Sequence, residues 1–154
     1  MKHTSLILGS VGVLAACSPP SVSPAQKCLQ TVLAYADLRD DPTKATEYGA
    51  LFSYNGTFTL GPNTVTGRDA IIERHISANS AMRWNHVMDG DIEVSDDLKG
   101  QSRVIVYTTP LDGTDGQVTR FIVANYHDQF EMGVSNNCLI KARRVEVLFD
   151  STAQ

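Results

Sequence analysis

The chain has 154 residues and a net charge of −4, from 13 Lys and Arg against 17 Asp and Glu. This length suits one domain with its own core, and the acidic balance, with no basic cluster beyond Lys141, Arg143 and Arg144, argues against nucleic acid as a partner. The chain has no HExxH motif, CxxC motif or phosphate-binding loop, so we predict neither a metal site nor a cofactor.

The first residues are typical of an export signal. Lys2 precedes a stretch of apolar or small residues from Ser5 to Ala16. A membrane-spanning helix needs about 20 apolar residues, and this stretch is shorter and ends in small residues, as cleavage sites do. We therefore predict a signal peptide over residues 1–16.

Cys17 follows directly after Leu14-Ala15-Ala16, and this run resembles the lipobox of bacterial lipoproteins. In that family the cysteine carries the lipid and becomes the first residue of the mature protein. The resemblance implies a protein anchored through Cys17 in the bacterial cell envelope, on the periplasmic face. Ser18 at the next position favours the outer membrane. An ordinary cleaved signal peptide with a chance cysteine is the alternative.

If Cys17 is the lipidated first residue, the rest of the chain has two parts. Residues 17–25 would form the lipidated cysteine and a spacer rich in Pro and Ser, and residues 26–150 the folded domain. Export leads to an oxidising compartment, where Cys28 and Cys138 could form a disulfide. Two separate buried thiols are the alternative, because the sequence does not give the Cα distance on which the bond depends.

The first half of the domain is predicted to be mainly helical. Ser23 to Gln26 form a capping box with proline in the first turn, and Asp41-Pro42 can end one helix and begin another. The predicted elements are a helix to about Arg39, a second helix to about Leu51, a turn at Asn55-Gly56, a strand over 57–60 and a third helix over 68–79.

The second half alternates with a period of two, which is typical of strands. The predicted strands cover 82–94 (one strand or a bent pair), 102–109, 117–131 and 138–149, with a hairpin loop at 112–116. This order predicts an α+β fold, in which helices pack on one face of a curved, mostly antiparallel sheet.

Six segments together resemble the SnoaL-like branch of the nuclear transport factor 2-like superfamily, over about residues 26–149. The resemblance implies a cone-shaped sheet with three N-terminal helices on its concave face. Relatives include ketosteroid isomerase, scytalone dehydratase, bile-acid dehydratase and polyketide cyclases, and many are oligomers, so we expect a homodimer or homotrimer. The segments are Tyr35–Asp40, Leu51–Phe52 with Gly56–Phe58, Gly67–Ile71, Arg83–His86, Tyr126–Asp128 and Ile140–Val145.

His86 is the first candidate for catalysis. It shares strand parity with Met82, Trp84 and Met88, an apolar set that we expect to face inward. A histidine in an apolar cavity can transfer a proton near neutral pH if a carboxylate orients it, and the related dehydratases carry a histidine on this strand. We predict Trp84 and Met88 as substrate contacts. A hydrogen-bonded core histidine is the alternative.

Tyr35 and Asp40 resemble the tyrosine and aspartate that end the first helix of bile-acid dehydratase. The resemblance implies that Tyr35 stabilises an oxyanion and that Asp40 acts as base or orients His86. Asp40 or Asp41 could instead cap the second helix.

Asp128 is a further catalytic candidate, because it shares the parity of Tyr126 on a largely apolar strand face and needs a partner there. His86 and Arg143 are both candidate partners, and a structural salt bridge is the alternative. We predict Tyr126 as a substrate contact. Arg143 or Arg144 could hold an anionic group of the substrate, and the family resemblance favours Arg143; a solvated edge arginine is the alternative.

Two functions follow from these residues. The first is a cofactor-independent lyase, dehydratase or isomerase that uses acid–base chemistry on a small hydrophobic, oxygenated molecule, aromatic or polycyclic. The second is a non-catalytic envelope lipoprotein whose cone binds a small molecule or whose sheet mediates assembly.

Overall fold

The computed structural model describes residues 21–90, 92–111 and 117–152. The predicted signal peptide, Cys17 and the predicted loop at 112–116 lie outside the described residues. Within the described ranges, no helix is both long enough and apolar enough to cross a membrane.

The first helix, α1, covers Pro24–Asp40 and begins with the predicted capping box. The Ser23 hydroxyl accepts a hydrogen bond from the backbone N–H of Gln26 at 3.2 Å, and the Gln26 side chain accepts one from the N–H of Ser23 at 2.9 Å. One face of α1 is buried with helical spacing. The buried residues of α1 are Cys28, Thr31, Val32, Tyr35, Ala36 and Arg39.

The second predicted helix is divided into a 3-10 turn over Pro42–Lys44 and helix α2 over Ala45–Ala50. Asp41 caps the turn, because its carboxylate accepts the backbone N–H of Thr43 at 2.9 Å. Helix α3 covers Arg68–Ala81. It approaches α2 closely at Gly49, where an added Cβ would lie 2.4 Å from Cγ1 of Ile72.

Seven strands form one sheet in the order β2-β1-β7-β6-β5-β3, with β4 paired to β5. All neighbouring pairs are antiparallel except β1 and β7, which run parallel. The predicted α+β class with a curved, mostly antiparallel sheet is confirmed. The strands are β1 Phe52–Leu60, β2 Asn63–Thr66, β3 Arg83–Met88, β4 Glu93–Val94, β5 Lys99–Thr109, β6 Arg120–Met132 and β7 Cys138–Asp150.

The predicted turn at Asn55-Gly56 is wrong, because both residues lie inside β1. The pairing of β1 with β7 shifts its register between Phe52 and Thr57, so the strand bends there without reversing. Gly56 suits this bend, since an added Cβ would lie 3.0 Å from the carbonyl oxygen of Ile140. The hairpin partner β2 was not predicted.

The helices pack on the concave face of the sheet, with α1 against β3 and β7. The core between them includes Val32, Phe52, Phe130 and Ile140, which are all at least nine-tenths buried. A disulfide joins Cys28 of α1 to Cys138 of β7, with their Cα atoms 5.0 Å apart. Next to it, the hydroxyl of Thr31 donates to the carbonyl of Cys138 at 3.0 Å. These contacts hold the start of α1 on the sheet.

Candidate functional site

The cone encloses a cavity of about 110 Å³ between the concave face of the sheet and helices α1 and α3. Its wall is mostly aromatic and aliphatic, with a few polar groups, as is typical of small-molecule sites. Residues that line it include Tyr35 and Arg39 from α1, Arg74 from α3, Trp84 and His86 from β3, and Tyr126 from β6.

His86 and Asp40 form a hydrogen-bonded dyad at the wall of this cavity. Nδ1 of His86 contacts Oδ1 of Asp40, and Oδ2 of the same carboxylate accepts the backbone N–H of His86 at 2.5 Å. The His86 side chain is 5% exposed and that of Asp40 is 25% exposed. With Nδ1 held by Asp40, Nε2 is the nitrogen left to accept a proton from a ligand.

The local sequence explains why Asp40 is available for this contact. Helix α1 ends at Asp40, one residue later than predicted, and Asp41 instead provides the cap of the next turn. The alternative that Asp40 caps the second helix is therefore wrong, because Asp41 provides that cap and Asp40 contacts His86.

The electrostatics of the dyad favour a neutral imidazole. Burial lowers the pKa of His86 below its ordinary value, while the carboxylate of Asp40 acts in the opposite direction. A neutral imidazole at neutral pH can act as a general base.

Tyr35 lies beside His86, with the two rings edge to face and their centroids 6.3 Å apart. Its hydroxyl accepts a hydrogen bond from the hydroxyl of Tyr48 at 3.2 Å, and a hydroxyl that accepts in this way can also donate its own proton. Burial raises the pKa of both Tyr48 and Tyr126 well above that of a free tyrosine. Neutral phenols at this place can donate to a developing oxyanion.

Asp128 pairs with Arg143 and not with His86. The register of β6 and β7 places these two residues opposite each other, and their side chains form two parallel hydrogen bonds of 2.7 and 2.6 Å. Both side chains are almost fully buried, 1% and 0% exposed. The guanidinium also lies against the Tyr35 ring, 3.9 Å from its centroid.

The structure places the predicted site residues in three groups. Tyr35, Trp84, His86 and Tyr126 line the cavity, and Asp40 supports His86 from outside its wall. Contrary to prediction, three residues do not line the cavity. Asp128 and Arg143 are committed to each other, and Met88, two positions beyond His86 on β3, packs against the core.

Two residues of the site were not predicted: Arg39, which lines the cavity, and Tyr48, which donates a hydrogen bond to Tyr35. Arg39 lies four residues after Tyr35 and thus on the same helix face, a spacing that could have identified it. Tyr48 stacks on His75, with ring centroids 4.5 Å apart, and no local pattern marked this contact.

A wider, solvent-open groove of about 540 Å³ is lined by His127 and Arg144, and also by Asp128 and Arg143. It includes neither His86 nor Asp40. In residues 21–90, 92–111 and 117–152, no three His, Cys, Asp or Glu side chains are grouped so that they could hold a metal ion. The smaller cavity is therefore the candidate site, because only there do the dyad and the aromatic wall meet.

A family model for the SnoaL-like domain matches residues 23–135 of the chain. No curated protein matches the chain.

Solved structures with the same fold are similar to the chain at low sequence identity. A proposed scytalone dehydratase from Novosphingobium aromaticivorans is 16% identical with a TM-score of 0.67, covering 84% of this chain and 87% of that one. A proposed aromatic ring hydroxylase from the same organism is also 16% identical, with a TM-score of 0.66 and coverages of 82% and 90%. Aln2 from a Streptomyces species is 20% identical, with a TM-score of 0.61 and coverages of 84% and 94%.

Proposed function

We propose that this chain, which belongs to the SnoaL-like domain family, is a cofactor-independent enzyme. It would act as a lyase, dehydratase or isomerase through acid–base chemistry. The observation that carries the proposal is the Asp40–His86 dyad at the wall of an apolar cavity, with Tyr35 beside it. A buried base oriented by a carboxylate next to a hydrogen-bond donor is a functional candidate on physical grounds.

The proposed reaction begins with proton abstraction next to a carbonyl group. Nε2 of His86 takes the proton from carbon, and the electron pair moves to the carbonyl oxygen as an enolate forms. Asp40 holds the imidazole through Nδ1 and stabilises the imidazolium that results. Tyr35, which receives a hydrogen bond from Tyr48, donates its own proton as a hydrogen bond to the enolate oxygen.

The second half of the reaction returns the proton. In a dehydration, the enolate expels a β-hydroxyl group, which takes the proton from His86 and leaves as water. In an isomerisation, the same proton is returned to a different carbon. Neither route needs an oxidant or a reductant, so His86, Asp40 and Tyr35 supply the groups that the chemistry requires.

The cavity volume limits the size of the substrate. A cavity of about 150 Å³ holds one benzene ring, and this cavity measures about 110 Å³. Because this volume is somewhat below ~150 Å³, we propose a substrate no larger than a single ring. The polycyclic compounds that the resemblance also implies are too large for the cavity in this conformation. The likeness to a proposed scytalone dehydratase supports including dehydration among the first reactions tested.

The test uses 3-hydroxycyclohexanone for dehydration and 3-cyclohexenone for isomerisation, because both yield the same conjugated enone and its ultraviolet absorbance reports turnover. We expect turnover by the purified protein, and a loss of about 10²–10⁴-fold in kcat for His86→Gln. His127→Gln, on the other face of the sheet, is the matched control and should retain activity. Equal turnover by His86→Gln would contradict the proposal. Ligand binding without turnover would favour the non-catalytic envelope alternative.

We also propose that the protein is exported and anchored by lipid at Cys17. The disulfide between Cys28 and Cys138 supports export, because such bonds are typical of oxidising compartments. Expressed in a Gram-negative host, the protein should incorporate radiolabelled palmitate and sediment with membranes, whereas Cys17→Ser should do neither. Ser18→Ala, the neighbouring control, should still be labelled. Labelling of Cys17→Ser would contradict the anchor.

A homodimer or homotrimer remains a prediction. The sheet face away from the helices carries exposed Val87, Phe121 and Phe149, and this is the surface that we propose for such a contact.

A further inference from the structure

The cavity wall carries positive charge without a matching negative charge. Three arginines line it, Arg39, Arg74 and Arg120, and no Asp or Glu in the described part of the chain does. Arg120 is neutralised by Asp150, whose carboxylate accepts from its Nε at 3.1 Å. The charges of Arg39 and Arg74 are therefore the two that still need a partner.

Arg39 is buried, only 4% exposed, yet no described carboxylate lies within 4.0 Å of its guanidinium. Asp40, the next residue, is turned to His86. The polar side-chain partner of Arg39 is Nδ1 of His75, 3.4 Å from Nη1, and a histidine carries no negative charge. Buried charges in proteins are normally paired, so this guanidinium is a cation that lacks a counter-ion.

Arg74 is the second uncompensated cation. It is half-buried on α3, and no carboxylate in the described ranges forms an ion pair with it. Its guanidinium lies over the Phe58 ring, 4.4 Å from the centroid, and that of Arg39 lies 5.1 Å from the centroid of Trp84. Both rings line the cavity. The two cations therefore flank an aromatic-walled space from two helices.

The charge of Arg39 acts on the rest of the site. After burial, it is among the causes that lower the pKa of His86 and His75. An anion bound in the cavity would supply the missing counter-charge. An arginine fork matches the two oxygens of a carboxylate.

We propose that Arg39 and Arg74 form an anion subsite, and that the ligand of the cavity is a single-ring molecule bearing a carboxylate. The ring would lie against Trp84 and Phe58, with its carboxylate between the two guanidinium groups. This inference deepens the proposed function, on which it rests, because it assigns the charge of the substrate at the same site.

The experiment compares benzoate with benzamide, which has the same shape but no charge, by isothermal titration calorimetry on the purified protein. We expect benzoate to bind at least about tenfold more tightly, the gain of a charge-assisted pair in a desolvated site. Arg39→Met and Arg74→Met should each remove most of that preference. Arg83→Met is the matched control: Arg83 is exposed on β3, on the face opposite to Trp84, and its loss should leave the preference unchanged.

Several results would overturn the subsite: no binding of benzoate at millimolar concentration, equal binding of benzamide, or a preference that survives in Arg74→Met. If Arg39→Met fails to fold, Arg74→Met still decides. Phenyl phosphate is a third ligand, and tighter binding of it than of benzoate would overturn the carboxylate assignment.

The same titration on His86→Gln separates this proposal from the proposed function. If the unsubstituted protein shows no turnover but His86→Gln still prefers benzoate to benzamide, the anion subsite is supported and only the catalytic role of His86 is contradicted.

Discussion

Asp128→Asn should lower the free energy of unfolding by about 3–5 kcal/mol, because it leaves the guanidinium of Arg143 buried without a counter-charge. The loss is expected to be large since the Arg143 side chain is fully buried, and a buried charge that loses its partner is strongly destabilising. Asparagine keeps the shape of aspartate but can accept only through one oxygen, so one of the two parallel hydrogen bonds is lost as well.

Equilibrium unfolding in urea measures this effect, with two matched controls. Asp97→Asn removes a carboxylate from an exposed pair with Lys99 and should leave the unfolding midpoint unchanged. The double variant Asp128→Leu with Arg143→Met replaces both charges by apolar groups and should recover much of the lost stability. If the single variant matches the parent, Asp128 and Arg143 do not form the buried pair in solution.

The ion pair also affects the candidate site, through packing. The guanidinium of Arg143 packs against the rings of both Tyr35 and Tyr126, 3.9 and 4.4 Å from their centroids. It therefore fixes the position of two residues that line the cavity without lining it itself. Strand parity favours Asp128 as a catalytic residue, and the family resemblance favours Arg143 as a substrate contact, but neither gives the depth of a residue along the cone.

Parity did identify the inward-facing residues. Trp84 and His86 on β3, with Tyr126 on β6, face the helices because alternate residues of a strand point to the same side, and this can be seen in the sequence. The partner of Asp128 could not be predicted from strand parity. Both His86 and Arg143 were candidates, and only the register of β6 against β7 places Arg143 opposite Asp128.

The pairing of β1 with β7 could not be predicted from the local sequence either. Asn-Gly is a strong turn signal in a short window, yet Asn55-Gly56 lies in a strand that pairs in parallel with β7, more than eighty residues later in the chain. Long-range pairing of this kind overrides local preference. The role of Arg39 was missed for a related reason, since its lack of a counter-ion appears only when the surrounding side chains are known.

The pH dependence of kcat/KM should show an acid limb whose midpoint lies below 6.5, the ordinary pKa of histidine, because burial lowers the pKa of His86. The neutral imidazole is the active base, so activity falls as the pH drops through the lowered pKa. Asp40 acts against burial and raises that pKa. Asp40→Asn should therefore move the acid limb to still lower pH.

The same substitution should lower kcat by about 10²–10⁴-fold, since the imidazolium formed during proton transfer loses its carboxylate and Nδ1 is no longer held. Turnover of 3-hydroxycyclohexanone between pH 4 and pH 9 measures both effects. Asp41→Asn is the matched control: its carboxylate caps the turn before α2 and makes no hydrogen bond to His86, so it should leave the limb in place. An acid limb that stays unmoved in Asp40→Asn would show that His86 is not the titrating base, because the Asp40 carboxylate contacts Nδ1 of His86 and raises its pKa.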